Sequence, residues 1–182
     1  MRKTLGVLCA AAMMVPLGVI TAQPAAAATV TQCSKAAGSA TFTPPLPKLG
    51  STKKTNSKLT ATGTVSGCVG GGVKSGKTKF VQTSKPTPGN CSTIVQPSKT
   101  NATYGTLTIT WNTGKVSTAK GFKIHQTDST TATTTGKITS GKFAGKTIKA
   151  TVTFTPESGG CTSKDLAHVT YVNKKGTKFV IV

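Results

Sequence analysis

The chain has 182 residues and carries 23 Lys+Arg against 3 Asp+Glu, for a formal net charge of +20. This length accommodates one ordinary domain and excludes a large multidomain enzyme. Charged residues are only 14% of the chain and nearly all are positive. This excludes a helical protein held together by surface ion pairs, because such a protein needs both signs interspersed.

The N-terminal segment has the three parts of a secretory signal peptide. Arg2 and Lys3 form a basic region, an apolar run follows over residues 5–20, and small alanines precede a cleavage point near Ala28 and Thr29. Prolines interrupt the apolar stretch, and a membrane span needs about 20 apolar residues. We therefore predict a leader that is removed on export, and no transmembrane span in the mature chain.

Removal of the predicted signal peptide, residues 1–28, leaves one predicted domain over residues 29–182 that contains no arginine. The loss of Arg2 and Lys3 lowers the net charge from +20 to +18. Threonine is abundant, and its β-branched side chain suits the half-exposed face of a pleated sheet. The choice lies between a disordered basic chain and a threonine-faced β protein, and the periodicity decides it.

Apolar residues alternate with threonine or lysine in several segments of the mature chain. Leu107, Ile109 and Trp111, for example, are separated by threonines, which places Trp111 on the core face. This period of two is typical of an antiparallel sheet with one exposed face. In chain order, strands are predicted at residues 30–34, 40–43, 59–65, 79–83, 106–111, 122–127, 134–139, 148–155, 166–172 and 178–182.

Two breaks in this pattern bear on how the strands connect. Residues 43–47 contain three prolines, which predicts a crossing or a sheet edge. Residues 173–176 have the composition of a tight turn and predict a closing hairpin. Some 8–10 short strands separated by Gly, Pro and Asn predict a single all-β domain, an antiparallel β-sandwich.

Four cysteines remain after cleavage of the leader, at positions 33, 68, 91 and 161. An even number in an exported chain indicates two disulfides, for which three pairings are possible. We favour Cys33–Cys68 and Cys91–Cys161, because the first joins two neighbouring strand ends and the second joins two glycine-flanked loops. The chain lacks the closely spaced cysteine pairs of zinc sites.

No arrangement of residues marks a catalytic centre. The mature chain has three carboxylates, Asp128, Glu157 and Asp165, and none is marked as one of the acid pair that a glycosidase needs. The two imidazoles, His125 and His168, lie in strand-like stretches and are interpreted as ordinary sheet residues. We predict that the protein is not an enzyme and binds neither a cofactor nor a metal.

The lysines are the unusual chemical feature of the sequence, and they are densest at Lys137, Lys142, Lys146 and Lys149. Lysine makes loose point-charge contacts, whereas arginine and stacked aromatics are typical of sequence-specific nucleic-acid recognition. We therefore expect contact with anionic cell-wall polymers or a membrane surface, and no sequence-specific nucleic acid. The alternative interpretation is a solvated face that confers solubility.

Three segments of the mature chain carry a resemblance to known proteins: residues 40–46, 63–68 and 109–118. With these segments the chain resembles small secreted proteins of actinobacteria that have an alanine-rich leader and a disulfide-bonded β-sandwich. The resemblance implies an immunoglobulin-like topology and an extracellular setting, and it carries no catalytic residues.

Three functions are compatible with these observations. The leading hypothesis is a non-enzymatic extracellular or cell-wall-associated protein that uses lysine-rich faces. The alternatives are an extracellular small-ligand carrier and a secreted hydrolase with an unrecognised site. An apolar pocket with converging polar groups would favour the carrier, a buried acid pair would favour the hydrolase, and a smooth basic face would favour the first hypothesis.

Overall fold

The computed structural model describes residues 30–95 and 102–182, and the predicted leader lies outside them. This described part contains ten strands and one short helix, so the all-β class is confirmed. In chain order they are β1 (Thr31–Leu46), β2 (Lys58–Val69), β3 (Ser75–Gln82), α1 (Ser92–Val95), β4 (Ala102–Trp111), β5 (Val116–Gln126), β6 (Thr131–Lys137), β7 (Ser140–Gly141), β8 (Thr147–Pro156), β9 (Leu166–Asn173) and β10 (Phe179–Ile181).

These strands form one antiparallel sheet that closes into a barrel. Each strand from β1 to β5 pairs with the strand that follows it in the chain. Beyond β6 the sheet leaves out β7, so that β6 pairs with β8 and β8 pairs with β9. The ring closes because β1 also pairs with β9, from Ala37 opposite Val172 to Leu46 opposite Leu166. The barrel has eight strand positions, and β7 is a short addition beside β5.

The proline-rich end of β1 marks where its regular ladders stop. The β1–β2 ladder ends at Thr43 opposite Lys58, and the β1–β9 register shifts between Thr41 and Leu46. Because proline has no N–H to donate, it cannot continue a ladder on both sides of a strand.

The last strand position is shared by β9 and β10, which run in the same direction between β8 and β1. Ala37 of β1 pairs with Val172 of β9, and Cys33 of β1 pairs with Phe179 of β10. The facing chain therefore contains three more residues between these two pairs than β1 does. The predicted closing hairpin at residues 173–176 is therefore wrong. The segment does turn, with Thr177 N donating to Lys174 O at 2.9 Å, but the strand then resumes its direction.

The prediction of an immunoglobulin-like sandwich is also wrong. A sandwich has two facing sheets with Greek-key connections, whereas successive strands here are neighbours in one closed sheet. Apolar–polar alternation indicates that one face is buried, and it is the same for an open sheet and a closed one. Closure depends on local features such as the bulge at Gly121, whose φ of 68° lets β5 bend opposite Gly105 and Thr106.

Both disulfides join the cysteines in the pairing favoured from the sequence. Cys33 and Cys68 lie directly opposite each other on β1 and β2, and Cys91 is bonded to Cys161 between the β3–β4 and β8–β9 connections. Disulfides persist in oxidising surroundings, so both are compatible with an extracellular protein. Among the residues described, no helix has the length and apolar character needed to cross a membrane.

The two ends of the barrel differ. One end, which we call the closed end, carries the β2–β3, β4–β5 and β6–β8 connections together with β10. Large buried side chains fill the interior there, among them Trp111, Ile109, Ile138, Ile148 and Ile181. The opposite end, which we call the rim, carries the β1–β2, β3–β4, β5–β6 and β8–β9 connections.

Candidate functional site

The interior of the barrel contains a cavity of about 460 Å³ that opens at the rim. It extends from Val65 and Phe179 near the closed end to Ser84 and Lys85 at the rim. An eight-stranded barrel is wide enough either to be filled by its own side chains or to hold one small ligand. The volume falls within the range of small-molecule sites, roughly 300–1,000 Å³.

The cavity exists because many inward-facing positions are alanine or glycine. Ala40 lies opposite Ala61 and Gly38 opposite Gly63 on the inner face of β1 and β2, and Ala132 faces inward from β6. Side chains of this size cannot reach the barrel axis, so they leave space that a closely packed core would not contain.

Larger apolar side chains form the rest of the wall and make the cavity hydrophobic. Phe80 on β3 and Phe122 on β5 contact each other along the wall, over Gly105 of β4, with ring centroids 6.1 Å apart in a tilted arrangement. The other large apolar lining residues include Phe42, Leu59, Leu107, Ile124, Val152 and Phe154. Such a wall favours ligands with an apolar body.

Tyr171 supplies a polar group to this wall. Its side chain lies across Gly38 and Gly63, where a Cβ at either position would collide with the Tyr171 hydroxyl. The hydroxyl donates to the Thr62 carbonyl at 3.3 Å and is also hydrogen-bonded to Thr78. Burial raises the pKa of the Tyr171 phenol above its ordinary value, so the group stays a neutral donor.

The rim is held together by bonds between its connections. Thr55 and Gly89 exchange backbone hydrogen bonds of 2.8 and 2.9 Å, which join the β1–β2 connection to the β3–β4 connection. The Cys91–Cys161 disulfide and the bond from Leu49 N to Cys161 O add the β8–β9 connection. Residues 83–91 are therefore fixed over one side of the opening.

Polar side chains line the cavity where it meets the rim. Gln82 has a structural role, because its Oε1 accepts from Leu59 N at 2.9 Å and its Nε2 donates to Ser84 O. Lys85 is exposed, and it is the one charged side chain among the described lining residues. The remaining polar residues of this group are Ser57, Ser84, Thr87, Thr93, Thr103 and Gln126.

The three carboxylates brace the rim connections and do not line the cavity. Glu157 accepts from Lys164 Nζ at 3.0 Å and from the Ala167 and His168 amides at 2.9 and 3.0 Å, and these bonds, that to Lys164 foremost, lower its pKa to about 2. Asp128 accepts from Thr130 N at 2.8 Å, which lowers the pKa of Asp128.

The third carboxylate, Asp165, accepts from Lys48 N at 3.0 Å. Each acid is therefore engaged within the loops of the rim. The buried acid pair that would favour a hydrolase is not found among the described residues.

The four lysines singled out in the sequence all lie towards the closed end. Lys137 and Lys149 are exposed on the outer face of β6 and β8, and they are diagonal neighbours because Lys137 pairs with Thr147. Lys142 and Lys146 lie in the β6–β8 connection, and Lys142 Nζ is 4.9 Å from the centre of the Phe143 ring. The fold thus gathers them at one end, away from the cavity opening.

Trp111 belongs to the core, as its position in the alternation predicts. It is 2% exposed, its Nε1 donates to Ser117 Oγ at 2.8 Å, and its ring meets the Phe143 ring edge-on at 5.4 Å. His168 lies on β9, with its Nδ1 3.1 Å from Thr41 Oγ1, and His125 lies on β5. Within residues 30–95 and 102–182, no three His, Cys, Asp or Glu side chains are grouped to hold a metal ion.

Comparison with known protein families, with curated proteins and with solved structures gives no match. The site therefore has to be interpreted from its own geometry. The sequence interpretation did not identify the residues that matter most there, Tyr171, Lys85 and the inward-facing alanines. One signal was available: positions 61 and 63 on the apolar side of β2 are Ala and Gly, which are too small to fill a core.

Proposed function

We propose that this protein is an extracellular carrier that holds one small apolar molecule inside its barrel. The observation that supports this function is the cavity of about 460 Å³, apolar along its walls, closed at one end by Trp111 and its neighbours and lined by polar groups at the rim. Apolar walls favour burial of a hydrophobic body, and a few convergent polar groups orient it.

The rigidity of the rim is consistent with a preformed binding site. Three of its connections are linked by backbone hydrogen bonds and by the Cys91–Cys161 disulfide. A site that is already ordered loses less conformational entropy when a ligand binds. A dissociation constant near 1 μM corresponds to about −8 kcal/mol, and we expect binding of that order.

The test is titration with N-phenyl-1-naphthylamine, a neutral fluorophore with an apolar body. The chain has one tryptophan, so energy transfer from Trp111 to the bound probe reports occupancy of the barrel. We expect saturable binding at one probe per protein. Ala61→Phe places a ring in the cavity and should weaken binding at least tenfold.

The matched control is Ala37→Phe, which adds the same ring to the exposed outer face of the neighbouring strand. It should leave probe affinity unchanged. Binding without a fixed stoichiometry, or an equal loss of affinity in both variants, would contradict the carrier function.

A second proposal is contact with anionic envelope polymers through the lysines of the closed end. Its support is that the four lysines lie together there, and that the described residues contain a single ion pair, Lys164–Glu157 at the rim. In this arrangement the closed end would face the envelope and the rim would face away from it. Attraction of this kind weakens as salt screens the charges.

The corresponding test measures binding to a soluble polyphosphodiester wall polymer at low and moderate salt. Two variants are compared, each with four Lys→Gln replacements and therefore the same loss of charge. The first variant changes the closed end, at Lys137, Lys142, Lys146 and Lys149, and the second changes the rim, at Lys48, Lys53, Lys54 and Lys58. The first should weaken polymer binding more than the second. No binding at low salt, or equal losses in the two sets, would contradict this proposal.

A further inference from the structure

The electrostatic environment of the cavity opening is one-sided. Lys85 is the charged side chain among the described lining residues, and it lies in the segment fixed by the Thr55–Gly89 bonds and the Cys91–Cys161 disulfide. The chain as a whole carries +20, of which +18 remains after removal of the predicted leader. A ligand group at the rim therefore meets both a local positive charge and the positive field of the whole protein.

No carboxylate is placed to offset Lys85 at the opening. All three acids of the chain lie in the described part, and none lines the cavity. Glu157 is bonded to Lys164 and to two amides, while Asp128 and Asp165 accept backbone hydrogen bonds within the rim connections. A cationic ligand group would be repelled at the rim, and a neutral one could accept a hydrogen bond from Lys85 but would lack the attraction between opposite charges.

The depth of the cavity indicates the length of the apolar part. Along β3 and its extension, Thr78, Phe80, Gln82 and Ser84 all line it. The six-residue step from Thr78 to Ser84 covers about 20 Å along an extended strand, or about 15 Å along the axis of a barrel with a strand tilt of ~40°. This depth suits an extended alkyl chain of medium length.

We infer that the ligand is a single-chain anionic amphiphile whose alkyl chain occupies the cavity and whose head group lies beside Lys85. This inference rests on the proposed carrier function and specifies its ligand class. The shared chemistry is an anionic head, carboxylate or phosphate, on one medium-length chain. The hydroxyl groups of Ser84 and Thr87 at the rim are suited to donate hydrogen bonds to the oxygens of such a head.

The experiment measures displacement of N-phenyl-1-naphthylamine by four ligands with the same chain and different heads. These are undecanoate, decyl phosphate, decanol and decyltrimethylammonium, each used below its micelle concentration or solubility limit at about 20 mM and about 300 mM salt. We expect the two anions to bind roughly three- to fivefold more tightly than decanol at low salt, a ratio typical of a partly exposed ion pair. The cation should bind most weakly, and the ratios should shrink at the higher salt.

Two variants with the same change in net charge locate the effect. Lys85→Gln should bring the affinity for the anions down to that for decanol and leave decanol unaffected. Lys77→Gln removes an exposed lysine from the outer face of β3. It should change each of the four affinities only slightly, through the loss of one positive charge from the whole protein. The relative affinities of undecanoate and decyl phosphate distinguish a carboxylate from a phosphate ligand.

The outcomes separate this inference from the function on which it rests. If decanol displaces the probe as well as undecanoate does, the carrier function stands and the anionic ligand class is wrong. If Lys77→Gln weakens anion binding as much as Lys85→Gln, the carrier function stands and the placement of the head group beside Lys85 is wrong. If the probe itself does not bind, the carrier function is wrong and the inference is overturned with it.

Discussion

Towards the closed end of the barrel, Trp111, Ile109 and Ile138 fill the interior, whereas nearer the rim Ala40 and Ala61 leave it hollow. The same strands run through both regions, so the difference lies in the size of the inward-facing side chains and not in the backbone. Closely packed interiors stabilise a fold, and cavities reduce that stabilisation. The barrel thus separates the region that supplies stability from the region available to bind a ligand.

The largest expected effect is the loss of Trp111. Trp111→Ala should lower the free energy of unfolding by about 3–5 kcal/mol, because it empties a filled region and removes the partner of Ser117. Phe154→Ala, at a half-buried position that lines the cavity, should cost only about 1–2 kcal/mol. Urea unfolding measures both values, and equal costs would contradict the distinction between the two regions.

The two disulfides sharpen the comparison, because one lies at each end. Removing either by paired Cys→Ser replacement should cost about 2–4 kcal/mol on the chain-entropy model. Loss of Cys91–Cys161 should also weaken probe binding, since it releases the rim, whereas loss of Cys33–Cys68 should leave the affinity of the remaining folded protein unchanged. Unfolding curves and probe titrations on both variants separate these effects.

Enlarging an alanine should have opposite consequences in the two regions. Ala119 is 1% exposed within the filled core, and Ala119→Leu should cost about 1–3 kcal/mol through overpacking. Ala61→Leu extends into the cavity and should change stability by less than about 0.5 kcal/mol, or increase it. Thermal unfolding of both variants without ligand provides the measurement, and destabilisation by Ala61→Leu to the same extent would indicate that the cavity is not open space.

The smallest effect concerns the rim carboxylate Glu157. Its pKa falls from the model-peptide value of 4.5 to about 2 in the folded protein. A lowered folded-state pKa contributes stability that is present above pH 4.5 and is lost as the pH falls towards 2. Glu157→Gln should therefore flatten the dependence of the free energy of unfolding on pH in that window.

The control for Glu157 is a variant at another acid whose structural bonds differ. Asp165→Asn retains an oxygen that can accept from Lys48 N, and it should leave the steep part of the wild-type curve between pH 4.5 and 2 in place. Urea unfolding at several pH values tests both variants. A wild-type curve that is flat across this window would contradict the bonding of Glu157 to Lys164.

Much of the local structure could be predicted from the sequence. Alternation located most strands to within a few residues and placed Trp111 in the core, because the pleat of a strand repeats every two residues. The sequence predicted which residues lie on the buried face of the sheet, but not whether that face is covered by other side chains or lines a cavity. Ala61 and Gly63 fit an apolar face equally well whether a facing sheet covers it or whether it lines an empty space.

The topology and the site could not be predicted in this way. The segment 173–176 has the composition of a hairpin turn, yet β10 continues in the direction of β9 because both β1 and β8 offer it partners further along. Lys85 is one lysine among many in the sequence. Its position beside the cavity depends on the bonds that fix residues 83–91 to the neighbouring connections.

By itself the sequence determined an all-β chain with two disulfides, a threonine- and lysine-rich exposed face, and an excess of positive charge that three acids cannot offset. These properties follow from composition and from a period of two, which depend only on neighbouring residues. Only the tertiary structure decided that the sheet closes into a barrel, that small residues meet to form a cavity, and that one lysine lies at its opening. Those features depend on contacts between residues far apart in the chain, which local patterns do not record.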